Sequence, residues 1–299
     1  MKSFIRQLMA VALAGSLLFT AACAADQGAT IGTTGKTSNT AGSTTGSTAG
    51  AVTTAAKLSG KIVASGSTSM EELMQALGEA FSTVNTDVMV EIQGGGSSTG
   101  VKNVSEGVSE IGNSSRALKD DEKKLGLTSY VVAYDGIALV VNPANKVTAL
   151  TSQQVKDIFT GKVTNWKDVG GTDAPIVVIL RESGSGTRDG FEELLGIANQ
   201  CVASQEVNET GIVKSTVAGN ANAIGYMSLG KVDQSLTALT IDNVKPSEAT
   251  VLDKSYKLQR PFLCLTKGNE SDLVKAFMTF ILSDEGQAMV AKKGFVKVG

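Results

Sequence analysis

The chain has 299 residues, 42% of them apolar, a formal net charge of −2 and no histidine. That length suits one large or two medium α/β domains, and the balanced charge argues against a nucleic-acid partner. The missing imidazole excludes His-based triads, His general acids and most zinc chemistry, so function must rest on Ser, Thr, Arg, Asp and backbone groups.

The first residues precede the fold. "MKSFIRQ" carries Lys2 and Arg6, and "LMAVALAGSLLF" adds a 12-residue apolar run. Such a run is short for a membrane span and fits the core of a secretory signal over residues 1–22. It ends in "TAAC", small residues before Cys23 that are similar to a lipoprotein processing site, where the cysteine is acylated and becomes the mature N-terminus. Thr20 stands where such sites usually have Leu, so plain secretion with an incidental Cys23 is the alternative. Loss of Lys2 and Arg6 with the signal moves the net charge from −2 to −4. A mildly acidic chain that holds an anion needs a local site rather than a global field. Residues 24–56 are a Gly/Ser/Thr/Ala tract with no aromatic and two charged residues. Such a tract buries too little apolar surface to offset its chain entropy, so residues 23–57 are expected to be a flexible, lipid-attached linker.

From Lys57 onward strands alternate with helical patterns. "GKIVASGSTS" reads as a strand entering a polar turn, and "MEELMQALGEAF" as a helix with Leu73, Leu77 and Phe81 on one face. "DVMVEIQ" alternates as a strand, "GGGSSTG" is a turn, and "VKNVSEG" begins a helix. "IALVVN" and "APIVVIL" are further strands, and "LVKAFMTFILSDEGQAMVAKKG" reads as one long C-terminal helical stretch. Repeated strand, turn and helix predict an α/β fold with mainly parallel sheets.

In such sheets ligands gather at the carboxyl ends of strands. Three turns of that kind share one chemistry: "SGSTSM" (65–70), "GGGSSTG" (94–100) and "SGSGT" (183–187), with Arg181 just before the third. Glycine lets the backbone approach a ligand, hydroxyls donate or cap, and each helix start offers N–H groups and a positive dipole end. For any one turn alone, helix capping is the alternative; three together with Arg181 point to an anion site. None is a nucleotide phosphate loop, because "GSGTR" lacks the Gly-Lys-Ser/Thr ending. None is a hydrolase elbow either, since no histidine activates a serine. Catalysis is therefore not expected, nor a metal or other cofactor. Cys201 and Cys264 are candidates for a disulfide, or stand apart as a helix-edge and a strand residue.

"ASGSTS", "IQGGGSSTGV", "EIGNSSR", "LTSQQVKDIFTGKVTNWKDVGG", "RESGSGTRDGFEELL", "AIGYMSLG" and "FILSDEGQAMVAKKGFVKV" occur in this order from about Gly60 to Val298. In these motifs the chain resembles the substrate-binding proteins of phosphate ABC transporters, the PstS type in its lipoprotein form. The resemblance implies a two-lobed, periplasmic-binding-protein-like (type II) α/β fold with a ligand cleft between lobes. Residues 58–135 with 258–299 would form one lobe and 136–257 the other. It also implies an extracytoplasmic, membrane-anchored protein that captures inorganic phosphate and delivers it to ABC permease subunits. Receptors for another, sulfate-like tetrahedral oxyanion, or a phosphate-sensing surface lipoprotein, are the alternatives. Trp166 and Phe159, in "IFTGKVTNW", are expected to be packing anchors.

The ligand set implied by the resemblance is Thr68 with the Ser69 N–H, Ser97, Ser115, and Arg181 with Ser185, the Gly186 N–H and Thr187. One position departs: many members carry Asp where this chain has Ser115, and that Asp accepts the proton of bound phosphate. Asp135, in "YDGIALVV", is the candidate acceptor here, with a turn or capping carboxylate as the alternative. Arg116 either meets the ligand or pairs with Asp135. An ionised carboxylate aimed at the anion would accept from protonated phosphate and repel sulfate, a discrimination of roughly 10⁴-fold.

Overall fold

The computed structural model describes residues 57–298. The signal peptide, Cys23 and all but the last residue of the tether lie outside the described residues.

The chain opens with β1 (Gly60–Gly66), α1 (Glu71–Val84), β2 (Val88–Gln93), α2 (Ser97–Glu106) and β3 (Ile111–Ser114). A single 14-residue strand, β4 (Thr128–Val141), leads to β5 (Ala149–Leu150), α3 (Ser152–Phe159), β6 (Val177–Arg181) and α4 (Gly186–Leu195). Next come β7 (Gln205–Val207), α5 (Thr210–Ala218), β8 (Ala223–Ser228), β9 (Thr237–Ala238), β10 (Thr240–Ile241) and α6 (Glu248–Leu252). The described chain closes with β11 (Gln259–Thr266), α7 (Asp272–Leu282) and α8 (Asp284–Lys292).

The main sheet runs β2-β1-β3-β11-β4-β8-β6-β7, with β9 also on β4. Its β1–β2, β1–β3, β6–β7 and β6–β8 pairs are parallel, as the strand–helix alternation predicts. The centre is antiparallel, which the local pattern does not show: β11 pairs with β3 and β4, and β4 with β8 and β9. The run read as "IALVVN" is only the second half of β4. Residues Thr128–Gly136 of that strand pair with β11, and Ile137–Val141 with β8. One strand thus passes from one half of the sheet to the other, and Asp135 sits next to the changeover.

The apolar core divides at the same place. One cluster takes Ile62, Leu73, Leu77 and Phe81 from the first helix and strand, Val132 and Ala133 from β4, Phe262 from β11 and Phe277 and Ile281 from α7. Another takes Ile137, Leu139 and Val141 from the far half of β4, with Phe159, Trp166, Phe191 and Tyr226. Trp166 is buried and donates its Nε1–H to the Asn222 carbonyl at 3.0 Å, and Phe159 packs edge-on to Phe191, as expected of anchors.

The C-terminal stretch is two helices rather than one. Ser283 is extended (φ −71°, ψ 165°) and accepts from the Gly286 N–H, so it ends α7 and caps α8, with Asp284 and Glu285 favouring the new N-terminus.

Cys201 and Cys264 are both free, which corrects the disulfide candidate. Cys264 is buried in the first cluster, its Sγ 3.9 Å from Met74 Sδ, whereas Cys201 packs against the second. Burial pushes both thiols up to about 12, helped at Cys201 by Glu192. The reactive thiolate is therefore scarce, so a thiol reagent at about pH 8 should modify neither residue rapidly in the folded protein and both after denaturation. Reductant should leave the melting temperature unchanged; a reductant-sensitive transition would restore the disulfide.

Candidate functional site

The turns after β1, β2, β3 and β6, with Arg181 at the end of β6 and Asp135 within β4, supply the candidate residues. Thr68, Ser69, Ser97, Ser115, Asp135, Arg181, Ser185 and Thr187 are all buried, none more than 6% exposed. They form one connected cluster. Ser115 N–H donates to Ser97 Oγ at 3.0 Å, and Ser69 Oγ shares a 2.9 Å hydrogen bond with Thr187 Oγ1 across the cleft. Ser98 N–H donates to the Gly184 carbonyl at 3.1 Å, drawing the second and third turns together.

Glycine makes that approach possible at two points. Gly96 has φ +89°, and a Cβ there would meet the Gly184 carbonyl oxygen at 2.9 Å. A Cβ at Gly186 would run into both Ser97 Oγ and Ser115 Oγ. The start of α4 therefore lies directly against two hydroxyls, at the start of α2 and just after β3.

The hydroxyls of the first two turns do not act as caps. Helices α3, α6, α7 and α8, away from the cleft, are each capped by a side chain: Thr151, Ser247, Ser271 and Ser283. Neither α1 nor α2 has a side-chain cap, although Thr and Ser crowd their entry turns. At α4 the cap contact is long, Arg188 N–H to Ser185 Oγ at 3.4 Å. First-turn N–H groups of α1 and α2 thus lack the usual side-chain partner, and the dipole ends add positive potential. Capping, the alternative reading of the turns, accounts for Ser185 alone.

Arg181 ends β6 and is 2% exposed. Its Nη1 donates to Thr210 Oγ1 at 3.2 Å, and its Nη2 to Thr68 Oγ1 at 3.2 Å and to the Asn208 carbonyl at 2.6 Å. Its Nε is buried with no hydrogen-bond partner. Every contact is neutral. Among the described arginines, Arg116, Arg188 and Arg260 each hold a carboxylate, and Arg181 makes no ion pair. Burial, with the like charge of Arg260 adding to it, pushes the Arg181 guanidinium down to about 10.

Asp135 is held by Arg260, a residue the sequence reading missed. The two are direct cross-strand partners in the β4–β11 register. Oδ2 accepts from Arg260 Nε at 3.1 Å and Nη2 at 2.9 Å; Oδ1 accepts from Ser228 Oγ at 2.9 Å and Leu229 N–H at 3.2 Å. Four donors occupy a carboxylate that has about four acceptor positions. Burial raises the Asp135 carboxyl against the pull of Arg260. Arg260 Nη1 also donates to Thr187 Oγ1 at 2.8 Å and the Ser115 carbonyl at 3.1 Å, so this guanidinium joins α4 to the turn after β3. No local motif marks it: "LQRPF" is an ordinary strand sequence, and its meaning appears only with the register.

Arg116 does not pair with Asp135. It forks onto Glu122 at 2.6 and 2.7 Å and donates Nε to Asp189 at 2.8 Å. Burial works against its charge, but Glu122 and Asp189 outweigh that and raise it. Thr210 is the second residue missed; its turn, "EVNETG", lacks the glycine–serine signature of the other three. No group of three or more His, Cys, Asp or Glu suited to a metal occurs among the described residues, and no described helix is long and apolar enough to cross a membrane.

Comparisons with known proteins agree on one family. A PBP superfamily domain matches residues 31–285. The phosphate-binding protein PstS of Bacillus subtilis is 34% identical over 249 residues, covering 79% of this chain and 80% of that one. A Clostridium perfringens structure with bound phosphate, assigned as the substrate-binding protein of a phosphate ABC transporter, superposes with a TM-score of 0.79. It is 50% identical and covers 80% of this chain and all of its own. An ABC-type phosphate transport receptor from Vibrio cholerae gives a TM-score of 0.68 at 36% identity, covering 79% of this chain and all of its own.

Proposed function

The chain belongs to the PstS phosphate-binding proteins of the PBP superfamily, and from that premise we propose that it captures inorganic phosphate outside the cytoplasm and delivers it to an ABC permease. The observation that carries this reading is Arg181: a buried cation with no carboxylate and an unpartnered Nε, set among hydroxyls and helix starts. A buried charge is costly unless it is paired, and the one partner this surrounding lacks is an anion.

In this reading phosphate is held by Thr68, the Ser69 N–H, Ser97, Ser115, Arg181, Ser185, the Gly186 N–H and Thr187. Arg181 and Arg260 outweigh Asp135 by one charge, and neutral dipoles carry the rest of the anion. Nearly neutral donors also suit release once the lobes part. We assign Asp135 to holding Arg260, because its four acceptor positions are already engaged by protein donors. The proton of bound phosphate then falls to hydroxyl oxygens of the cage, each of which can accept as well as donate. No turnover is expected: the only carboxylate in the cluster is paired, and no imidazole exists to activate a hydroxyl. At the other end, residues 1–22 act as the export signal and Cys23 carries the lipid that anchors the chain to the membrane.

Equilibrium binding on the purified mature chain tests this. Micromolar or tighter phosphate binding is expected, with a preference over sulfate smaller than a carboxylate aimed at the anion would give, because cage hydroxyls that accept from phosphate can turn and donate to sulfate. Equal competition by sulfate would recast the protein as a general tetrahedral-oxyanion receptor, and absence of phosphate binding would end the proposal.

A further inference from the structure

Helix α5 opens on the same cluster, from the carboxyl end of a fifth strand, β7. Its first residue, Thr210, is 1% exposed. Its Oγ1 lies 3.2 Å from Thr68 Oγ1, 3.2 Å from Ser69 Oγ and 3.2 Å from Arg181 Nη1. Thr68 and Ser69 come from one lobe, Arg181 and Thr210 from the other. A hydroxyl has a single proton, so it can donate to only one of its two hydroxyl neighbours while accepting from the guanidinium.

Two independent observations set this helix start apart from an ordinary one. First, α5 has no side-chain cap: its N-cap residue, Glu209, is exposed and its carboxylate accepts no hydrogen bond from the helix, whereas α3, α6, α7 and α8, remote from the cleft, each have one. Second, the guanidinium that donates to Thr210 is 2% exposed and carries the unpartnered Nε. Both features are what an anion placed between Arg181 and the start of α5 would complete.

We infer that Thr210, with the opening N–H groups of α5, is a fourth helix-start contact for the bound oxyanion, in addition to those of α1, α2 and α4. The inference rests on the phosphate-binding reading. It makes the hydroxyl of Thr210 a donor to the anion when the ligand takes the place of its contacts with Thr68 and Ser69.

The test is calorimetric titration of inorganic phosphate into the mature wild-type chain, Thr210→Val and Thr210→Ser, with the ligand-free melting temperature of each. Val keeps the shape and removes the hydroxyl, so its affinity should fall about tenfold or more, the effect of losing one hydrogen bond to a charged group. Ser keeps the hydroxyl and should bind within about threefold of wild type, well below the effect of a lost charged hydrogen bond. A Val variant that folds and binds phosphate like wild type overturns the inference while leaving the phosphate reading intact. A Ser variant as weak as Val overturns it too, by assigning the effect to the methyl group. If Val fails to fold, Ser and Thr210→Cys decide: affinity retained with Ser and lost with the poorly donating thiol supports the contact, and equal affinity refutes it. A wild-type chain that ignores phosphate removes the parent reading itself.

Discussion

Arg181→Met is expected to weaken phosphate binding at least tenfold and, in the same protein, to raise the melting temperature without ligand. The two effects share one cause. The guanidinium is buried against neutral oxygens only, with Nε unpartnered and its protonation disfavoured by burial. An aliphatic side chain of similar length removes that unpaired charge, and replacing buried ionic groups by apolar ones is commonly neutral or stabilising by about 1–4 kcal/mol. For a body of this size each kcal/mol moves the transition by roughly 2–4 °C. Phosphate binding loses its only planar, charged donor not already paired with a carboxylate, and hydrogen bonds to charged groups contribute about 1.5–3 kcal/mol each. Thermal unfolding with and without phosphate reads both effects at once. A variant that is less stable and binds as well as wild type would place Arg181 in the fold rather than in the site.

Arg260→Met and Asp135→Asn should act in the opposite sense and cost the fold first. Each strands a fully buried charge opposite its lost partner, a situation worth about 3–5 kcal/mol in other proteins. The cross-strand position of the pair, at the changeover of β4 between lobes, spreads the damage to Thr187 and Ser115, which Arg260 also holds. The double substitution Asp135→Asn with Arg260→Met removes both charges and should recover part of the loss, so the cycle should be strongly non-additive. Urea unfolding of the four proteins measures this. Single variants within about 1 kcal/mol of wild type would show that the pair is incidental, since ordinary surface substitutions fall in that range. The sequence alone suggested a different emphasis, in which Asp135 faces the ligand and its loss erodes selectivity more than folding. The four donors on its carboxylate reverse that order.

The difference shows which information is local. Strand β1, helix α1 and the three glycine–serine turns are legible because period, turn chemistry and helix start sit within a few residues of one another. Arg181 is legible for the same reason: it stands at a strand end, next to such a turn. What lies across the sheet is not local. Arg260 and Asp135 are 125 residues apart in the chain and meet through antiparallel register, which no short pattern records. The full length of β4 is hidden because "TSYVVAYDG" mixes polar residues into a strand that changes pairing partner midway. The break between α7 and α8 did carry a local sign, Ser283 followed by Asp284 and Glu285, but the apolar period runs on through it. Thr210 was hidden for a chemical reason: its turn has the hydroxyl and a single following glycine, but not the Gly–Ser run that makes the others conspicuous.

The central claim is that a buried, carboxylate-free guanidinium and the surrounding helix starts are built around one tetrahedral anion. A phosphate-bound crystal structure of the mature chain measures this directly. The account predicts the phosphate between the lobes, with Arg181 Nε donating to one of its oxygens and Thr68, Ser97 and the Gly186 N–H within hydrogen-bond distance. Phosphate bound elsewhere, with Arg181 Nε still unpartnered, would contradict it.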